Sequence, residues 1–559
     1  MEQKDNQPSD VQVEQAEVKT RVDLDKILVE EIGQVGWFQL RTWALAAFAV
    51  IFSGFAATEY VFSTARIDTR CLISECESTD QTIEFAPSWI LNAIPPSGSS
   101  FDSCQRFANI STNYLNEVCP ASLFDSSNVV DCEEYVYENT NTVVYTFGLA
   151  CRDWQRSFIG TAWALGTLAG LPIAGFVSDR WGRRTALIIN AFIRASLGLG
   201  RSWTNTYVGF TLLEFLESAL GGGVFTCAYI LVMEMVGPRM RVAFGTSMNS
   251  FFSVGCVIAG LLAWAFNDWR DLTRVLYTPM LIMSFSLWFV PESVRWYMSK
   301  GRYQESETVL KTAARINGKQ LSDKSLEALR ESVEEEKRRN ETEAENKTNE
   351  PWLIVQVFRH KQILIRCIVS PVWWITFTIV YYGLSINVVN ISGNRYLNYV
   401  AVSAVEVPGY WTSMFLLGII GRKPVLIAAF WVCAACQATY IFMPDGYYEA
   451  SLAVYLIGKF SIAMVSAGLY VYTAELYPTR NRHSLLGYSS MVGRIGSILA
   501  PLTPAMGNST FDELPFVIFG CFALLSGCLV LITPETLGAK FPDTMEEASD
   551  IGKKKDGAK

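Results

Sequence analysis

The chain has 559 residues with 46 Lys+Arg against 54 Asp+Glu, a formal net charge of −8. Half of it is apolar, 18% is charged and the mean hydropathy is +0.21, whereas a soluble domain carries roughly 25% charge. That balance excludes an ordinary soluble enzyme, and an acidic chain without a basic stripe excludes nucleic acid as a partner.

In chain order, residues 1–41 are polar and acidic, with no apolar h-region that would mark a cleavable signal; they read as a cytosolic tail. Twelve apolar runs follow, at about 42–64, 144–171, 184–200, 206–232, 242–266, 274–291, 362–388, 396–420, 424–443, 450–475, 485–507 and 513–533. Each is close to the roughly 20 residues a helix needs to cross a bilayer core. The expected fold is an all-α polytopic membrane protein. A hydrophilic segment at 65–143 interrupts its first half (42–291), a charged linker at 292–361 precedes its second half (362–533), and 534–559 forms a tail.

Orientation follows the Lys/Arg bias of the short loops. Arg180, Arg183 and Arg184, then Arg239 and Arg241, Arg422 and Lys423, and Arg480 and Arg482 all follow even-numbered spans. Those loops and both termini are expected in the cytosol, with Arg201, Arg270 and Arg274 as outside exceptions. The 65–143 segment then lies outside. Its six cysteines, Cys71, Cys76, Cys104, Cys119, Cys132 and Cys151, read as three disulfides among 15 possible pairings. Asn109-Ile110-Ser111 is a glycosylation sequon on the same segment. Sequons at Asn340 and Asn346 are expected to be silent in the cytosol.

The chain repeats itself. Ser178-Asp-Arg-Trp-Gly-Arg-Arg after the second span returns weakly as Gly418-Ile-Ile-Gly-Arg-Lys after the eighth, with Gly182 and Gly421 239 residues apart. Glu234-Met-Val-Gly-Pro-Arg-Met-Arg matches Glu475-Leu-Tyr-Pro-Thr-Arg-Asn-Arg at an offset of 241, and Pro291-Glu292-Ser293 matches Pro534-Glu535-Thr536 at 243. Three matches near one offset imply two six-helix halves related by duplication, the architecture of a rocking carrier. No P-loop, HExxH, zinc-spaced CxxC pair or GxSxG is present, so no catalytic residue, metal or cofactor is expected. His360 and His483 read as loop residues.

A charge at the centre of a membrane helix costs about 2.5–3.5 kcal/mol on insertion scales, so retained charges mark site candidates. Eight lie within the runs: Glu59, Glu214, Glu217 and Glu406 against Arg194, Arg366, Lys459 and Arg494. Their neutral sum suggests mutual pairing, or pairing completed by a substrate of both signs. Arg494 offers a guanidinium fork suited to a carboxylate. Glu406 lies beside Pro408-Gly409, a helix break of the kind that lines transporter cavities. Arg194 is the expected partner of Glu214 and Glu217, three residues apart on one face. The aromatics Tyr381, Tyr382, Tyr410 and Tyr470 could hold an ammonium by cation–π attraction. Asp179, Arg183, Arg184, Glu234 and Arg241 are expected to form an inside-closing charge cluster, with Glu475, Arg480 and Arg482 as its second-half counterpart.

The motifs GxxSDRWGRR (175–184), VPESVRWYMSKGR (290–302), VYTAELYPTRNR (471–482) and PETLGAKFPDTMEEA (534–548) resemble those of the major facilitator superfamily. Within it they resemble the organic cation, carnitine and organic anion transporters of solute carrier family 22, from about Gly33 to Ala548. Val405-Glu-Val-Pro-Gly-Tyr410 together with Arg494-Ile-Gly-Ser-Ile-Leu-Ala-Pro501 is most similar to the carnitine transporters, which keep both the acid and the arginine. The resemblance implies a carrier of small organic amines, zwitterions of the carnitine or β-alanine type or organic cations, at a plasma membrane. An organic anion exchanger is the alternative, and a non-transporting receptor of the same fold a further one. Ser53, Arg194 and Glu214 depart from the Asn, Gln and Arg of sodium-coupled carnitine transporters, so weak or absent sodium dependence is expected.

Overall fold

A computed structural model describes residues 24–551, apart from 78–82, 98–99, 111–118, 332–333, 335–337, 339–351, 445, 480, 540–541 and 543. Twelve helices occupy the twelve apolar runs. In the first half these are α1 (Trp37–Ser63), α2 (Asp153–Trp181), α3 (Arg183–Arg201), α4 (Tyr207–Met235), α5 (Arg241–Ala265) and α6 (Trp269–Phe289). In the second they are α7 (Lys361–Asn387), α8 (Arg395–Ile419), α9 (Arg422–Ile441), α10 (Tyr448–Leu476), α11 (Arg482–Leu499) and α12 (Leu514–Val530). Among the described residues, nine of these are long and apolar enough to cross a membrane by length and composition.

The helix ends differ from the apolar runs where short structures intervene. Residues 144–152 do not belong to the second span: Val143–Thr146 is a separate turn capped by Thr142, and α2 starts at Asp153. α3 runs through Arg201 rather than stopping before it, which buries a residue that the loop-charge reading placed outside. The expected break at Pro408-Gly409 lies three residues earlier, at Val405, where α8 divides into Arg395–Ala404 and Glu406–Ile419. Pro408 has no N–H for the Ala404 carbonyl, so the ladder opens ahead of the proline while the proline sits in the first turn of the new helix.

Within the first half α2 packs on α4, α3 on α4 and α6, and α1 on α5; within the second, α7 packs on α11, α9 on α10 and α12, and α8 on α10. The halves meet where α5 lies along α8 and α2 along α11. Hydrogen bonds cross this seam from Thr161 to the Ile498 carbonyl (3.2 Å), Trp411 to Ser250 (3.1 Å), Tyr399 to Thr58 (3.1 Å) and Asn508 to Asp153 (3.0 Å). Outward-facing Phe176, Trp181, Phe285, Trp288, Phe289, Phe415 and Ile419 are each more than half exposed, an apolar belt that water would not tolerate at this size.

The segment between α1 and α2 carries three antiparallel strand pairs: β1 (Thr69–Cys71) with β6 (Tyr135–Tyr137), β2 (Pro96–Ser97) with β3 (Ser100–Phe101), and β4 (Gln105–Asn109) with β5 (Phe124–Asp131). Its six cysteines pair as Cys71–Cys132, Cys76–Cys119 and Cys104–Cys151. The last bridge closes a 47-residue span onto the lip of α2, and a closure of that length is worth about 4 kcal/mol in the chain-entropy account. Arg70, fully buried, binds the carbonyls of Phe85 (2.8 Å) and Glu84 (2.6 Å) and the Glu77 carboxylate (2.5 Å). Asn109 of the sequon donates its amide to Glu75, and its partner Ser111 lies outside the described residues.

Candidate functional site

At the ends of α2 and α8 the repeated motifs build the same object twice. Gly182 (φ 103°) and Gly421 (φ 116°) turn the chain into the next helix in the left-handed region that favours glycine. Each leaves the first N–H groups of that helix pointing at a glutamate from the end of the half. Glu292 accepts from the N–H of Arg183 (2.9 Å), Arg184 (3.1 Å) and Ser293 (2.8 Å). Glu535 accepts from Arg422 (3.0 Å), Lys423 (3.0 Å), Thr536 (2.8 Å) and Leu537 (2.8 Å). A carboxylate on a helix N-terminus satisfies orphan donors and meets the positive end of the helix dipole. A Cβ on Gly182 would lie 2.2 Å from Glu292 Oε2, and one on Gly421 2.7 Å from Glu535 Oε2, so glycine is required there for space as well as for φ.

Around these caps the charges pair within each half. Arg183 bridges Asp179 (2.7 Å) and Glu234 (3.4 Å), while Arg184 binds the Trp288 carbonyl (2.5 Å) and covers its ring. Two expectations change. Arg241 leaves the Asp179–Glu234 group and binds Asp25 (2.5 Å), which it shares with Arg295; Asp25 belongs to a short helix, Leu24–Glu30, that the sequence reading left inside the tail. Glu475 pairs with Arg422 (3.0 Å) and accepts from Thr536 (2.5 Å); Arg482 binds Thr479 (3.2 Å), and Arg480 lies outside the described residues.

At mid-depth the buried charges fall into two groups. In the second half Glu406 is 3% exposed and fully engaged. Lys459 Nζ is 2.9 Å from its Oε1, and its Oε2 accepts from Ser253 (2.5 Å), Tyr381 (2.8 Å) and Tyr410 (3.2 Å). Lys459 also reaches the Tyr381 carbonyl (2.9 Å) and Ser385 (2.7 Å), with its ammonium 3.7 Å from the centre of the Tyr381 ring. The acid and aromatics read as an amine cage therefore already hold an amine, tethered from α10. Ser253 lies on α5, so this group also joins the halves.

In the first half the hub is Arg201. It is fully buried and contacts Glu59, Glu214 and Glu217 (3.1 Å to the last). Arg194 joins at 3.5 Å from Glu217 and 3.3 Å from Ser53. Arg194 is thus committed to its own half, away from Arg494, and the main partner of the two glutamates is the arginine that the sequence reading assigned to a loop. Arg366 caps the carbonyls of Leu476 (3.0 Å) and Ala548 (2.6 Å).

Arg494 differs from every other intramembrane cation. It is partly exposed and, among the described residues, its guanidinium has no hydrogen-bond or ion-pair partner. The nearby aromatic wall comes from both halves: Tyr60 stacks on Trp163 (5.5 Å), Trp163 meets Tyr382 edge-on (5.9 Å), Tyr382 meets Tyr381 (5.3 Å), and Tyr470 meets Trp374 (4.5 Å). Tyr470, within the electrostatic reach of Arg494, is 49% exposed although its helix is packed on α7, α8 and α9.

The family model for the sugar (and other) transporters matches residues 109–547. The chain belongs to that transporter family. Among curated relatives, this transporter is 30% identical to the organic cation transporter protein of Drosophila melanogaster, over 94% of its own length and 95% of the relative. It is 29% identical to solute carrier family 22 member 21 of Mus musculus (94% and 93%) and 28% identical to organic cation/carnitine transporter 2 of Homo sapiens (92% of each). Among solved structures, the inward open conformation of the xylose transporter XylE from E. coli superposes with a TM-score of 0.59 at 16% identity, covering 91% of this chain and 99% of that one. The transporter is a multi-pass membrane protein of the major facilitator fold and a member of solute carrier family 22, and it is a carrier rather than an enzyme.

Proposed function

We propose that the transporter carries small organic zwitterions of the carnitine or β-alanine type across a plasma membrane by alternating access, with both termini in the cytosol. The reading rests on Arg494, the intramembrane cation whose guanidinium has no hydrogen-bond or ion-pair partner among the described residues. A substrate carboxylate would complete it with a forked, charge-assisted contact. The ammonium would rest on the faces of Tyr382, Tyr470 and Trp163, because Glu406 is already neutralised by Lys459. The names of the relatives, organic cation and carnitine transporters, agree with an amine-bearing substrate. Transport then follows from differential contacts that bias rocking of the halves about the site. Arg194 holds a fixed positive charge 3.3 Å from Ser53, which disfavours a sodium ion there, and uptake should persist when sodium is replaced by N-methylglucamine.

One observation favours a second reading. With Glu406 held by Lys459, the buried-helix charge left without a partner among the described residues is the positive one of Arg494, which suits an organic monoanion. Competition for uptake of one tracer amine by matched cationic, anionic and zwitterionic compounds separates the two, with Arg494→Ala run alongside. Zwitterions should compete best, and the mutant should lose that preference. A preference for para-aminohippurate-type anions would establish the exchanger, and equal competition by plain cations with an indifferent mutant would sink both.

A further inference from the structure

Each half is preceded by a short helix ahead of its first span, and the two are used differently. Leu24–Glu30, ahead of α1, buries Leu24, Ile27 and Leu28, and its Asp25 is held by Arg241 and Arg295. Leu353–Arg359, ahead of α7, reads Leu-Ile-Val-Gln-Val-Phe-Arg and is apolar nearly all round. One side of it is covered: Val357 is buried with Ile363, Met545 and Ala548, and Leu353 packs against the same cluster. The opposite side is bare. Trp352, which opens the helix, is 81% exposed, Phe358 67%, Ile354 65% and Val355 43%. Leu353 and Val357 are four residues apart on one face, and Ile354 and Phe358 are four apart on the face turned away from it.

The place of this bare face and the charges around it say what covers it. The helix ends at Arg359, and α7, long and apolar enough to cross a membrane, starts two residues later at Lys361, so the face lies where the chain enters the bilayer. Arg359 and Lys361 are both exposed at that boundary. The nearest acids belong to the helix Met545–Asp550, which packs on the Val357 side, where Glu546 reaches His360 at 3.4 Å. A tryptophan, an apolar face and flanking cations make up a helix that lies in a membrane interface against anionic headgroups. We propose that Leu353–Arg359 is such a helix, with Trp352, Ile354, Val355 and Phe358 among the acyl chains and Arg359 and Lys361 on the headgroups of anionic phospholipid, so that the entry of α7 is anchored to the leaflet. With the linker in the cytosol, as proposed above, that leaflet is the anionic inner one.

Crosslinking of the full-length protein in lipid nanodiscs tests it. With photoreactive benzoylphenylalanine in place of Phe358, in discs of phosphatidylcholine with a minor share of phosphatidylserine, irradiation should give a lipid adduct detectable by mass spectrometry. Phosphatidylserine should be enriched in that adduct over its share of the disc by up to about thirtyfold, the limit for two cations at about 1 kcal/mol each. Arg359→Gln/Lys361→Gln should keep the adduct and lose the enrichment. The same photoprobe at Ile354 should behave like that at Phe358, in case one position perturbs the fold, and a probe at Thr308, exposed on the helix Tyr303–Ile316, should find no lipid. Adducts to the chain itself at both positions, or lipid adducts no more frequent than at Thr308, overturn the placement in the membrane. A lipid adduct without enrichment, or an enrichment that survives the double variant, overturns the anionic site. Both leaflets of a disc carry the same lipids, so these outcomes are independent of the substrate and orientation proposed above.

Discussion

In the first half three carboxylates meet two guanidiniums; in the second one carboxylate meets one ammonium, and a separate, partly exposed guanidinium has no hydrogen-bond or ion-pair partner among the described residues. Yet both halves end their second helix on a left-handed glycine whose following N–H groups are held by a glutamate 110 or more residues later. The duplicated parts are the ones that hold the loops. The parts that diverged are the buried charges, where each half can take on a task of its own. One half carries an acidic surplus, the other a neutral pair and a cation without a partner among the described residues.

The largest expected effect comes from the hub. Arg201→Met leaves three buried carboxylates with Arg194 alone, and breaking a buried ion pair costs about 3–5 kcal/mol. Thermal unfolding followed by size-exclusion in detergent should show a collapse in folded yield; a variant that melts like the wild type would remove Arg201 from the centre of the first half.

The same substitution should then behave differently in the two halves. Glu406→Gln strands the Lys459 ammonium at 0% exposure and should cost about 3 kcal/mol, recovered largely in the Glu406→Gln/Lys459→Met double variant. Glu214→Gln brings the first-half group to two acids and two bases and should change stability by less than about 1 kcal/mol. Equal losses at both sites would erase the distinction between the halves. Arg494→Ala, with no partner to strand, should leave the melting temperature nearly unchanged while removing a charge-assisted contact worth about 1.5–3 kcal/mol to substrate, roughly ten- to a hundredfold in competition.

Much of this contrast is invisible along the chain, for a physical reason. Hydropathy reads one helix at a time, so the twelve runs and the repeated loop motifs stand out. The six cysteines are countable, but their pairing depends on where β4, β5 and the lip of α2 come together. Ion pairing happens between helices. Lys459 and Glu406 are both recognisable as buried charges, but only the packing of α10 on α8 shows that each satisfies the other. Arg201 was misplaced because the apolar run ends at Gly200, whereas the helix continues one residue further, into the acids of α1 and α4. Glu292 and Glu535 were visible as members of a repeat, and their role was not, since an N-terminal cap from a distant segment has no local signature. Arg494 stands out along the chain as a charge between glycines, but its lack of a partner among the described residues shows only once the neighbouring helices are in place.

The smallest effects separate the two caps by pH. Burial pushes the Glu292 carboxyl above its ordinary value of 4.5, outweighing the N–H groups of Ser293, Arg184 and Arg183 that favour its charged form. Glu535 is less buried; burial opposes its ionisation, but the N–H groups of Leu537, Arg422, Thr536 and Lys423 together hold it below 4.5. The signs are opposite. For Glu535 the unfolded chain binds the proton more tightly, so its contribution is fully present above about pH 4.5 and is lost as pH falls below that value. For Glu292 the folded chain binds the proton more tightly, so stability rises as pH falls through its raised value. Glu535→Gln should therefore lower the melting temperature at neutral pH, with the difference from wild type shrinking in acid. Glu292→Gln imitates the protonated form, so it should melt at or above wild type at neutral pH, and the wild type should approach it as pH falls. Two variants with parallel pH profiles would mean that the duplicated caps are electrostatically equivalent, and that the asymmetry of the halves is confined to the membrane.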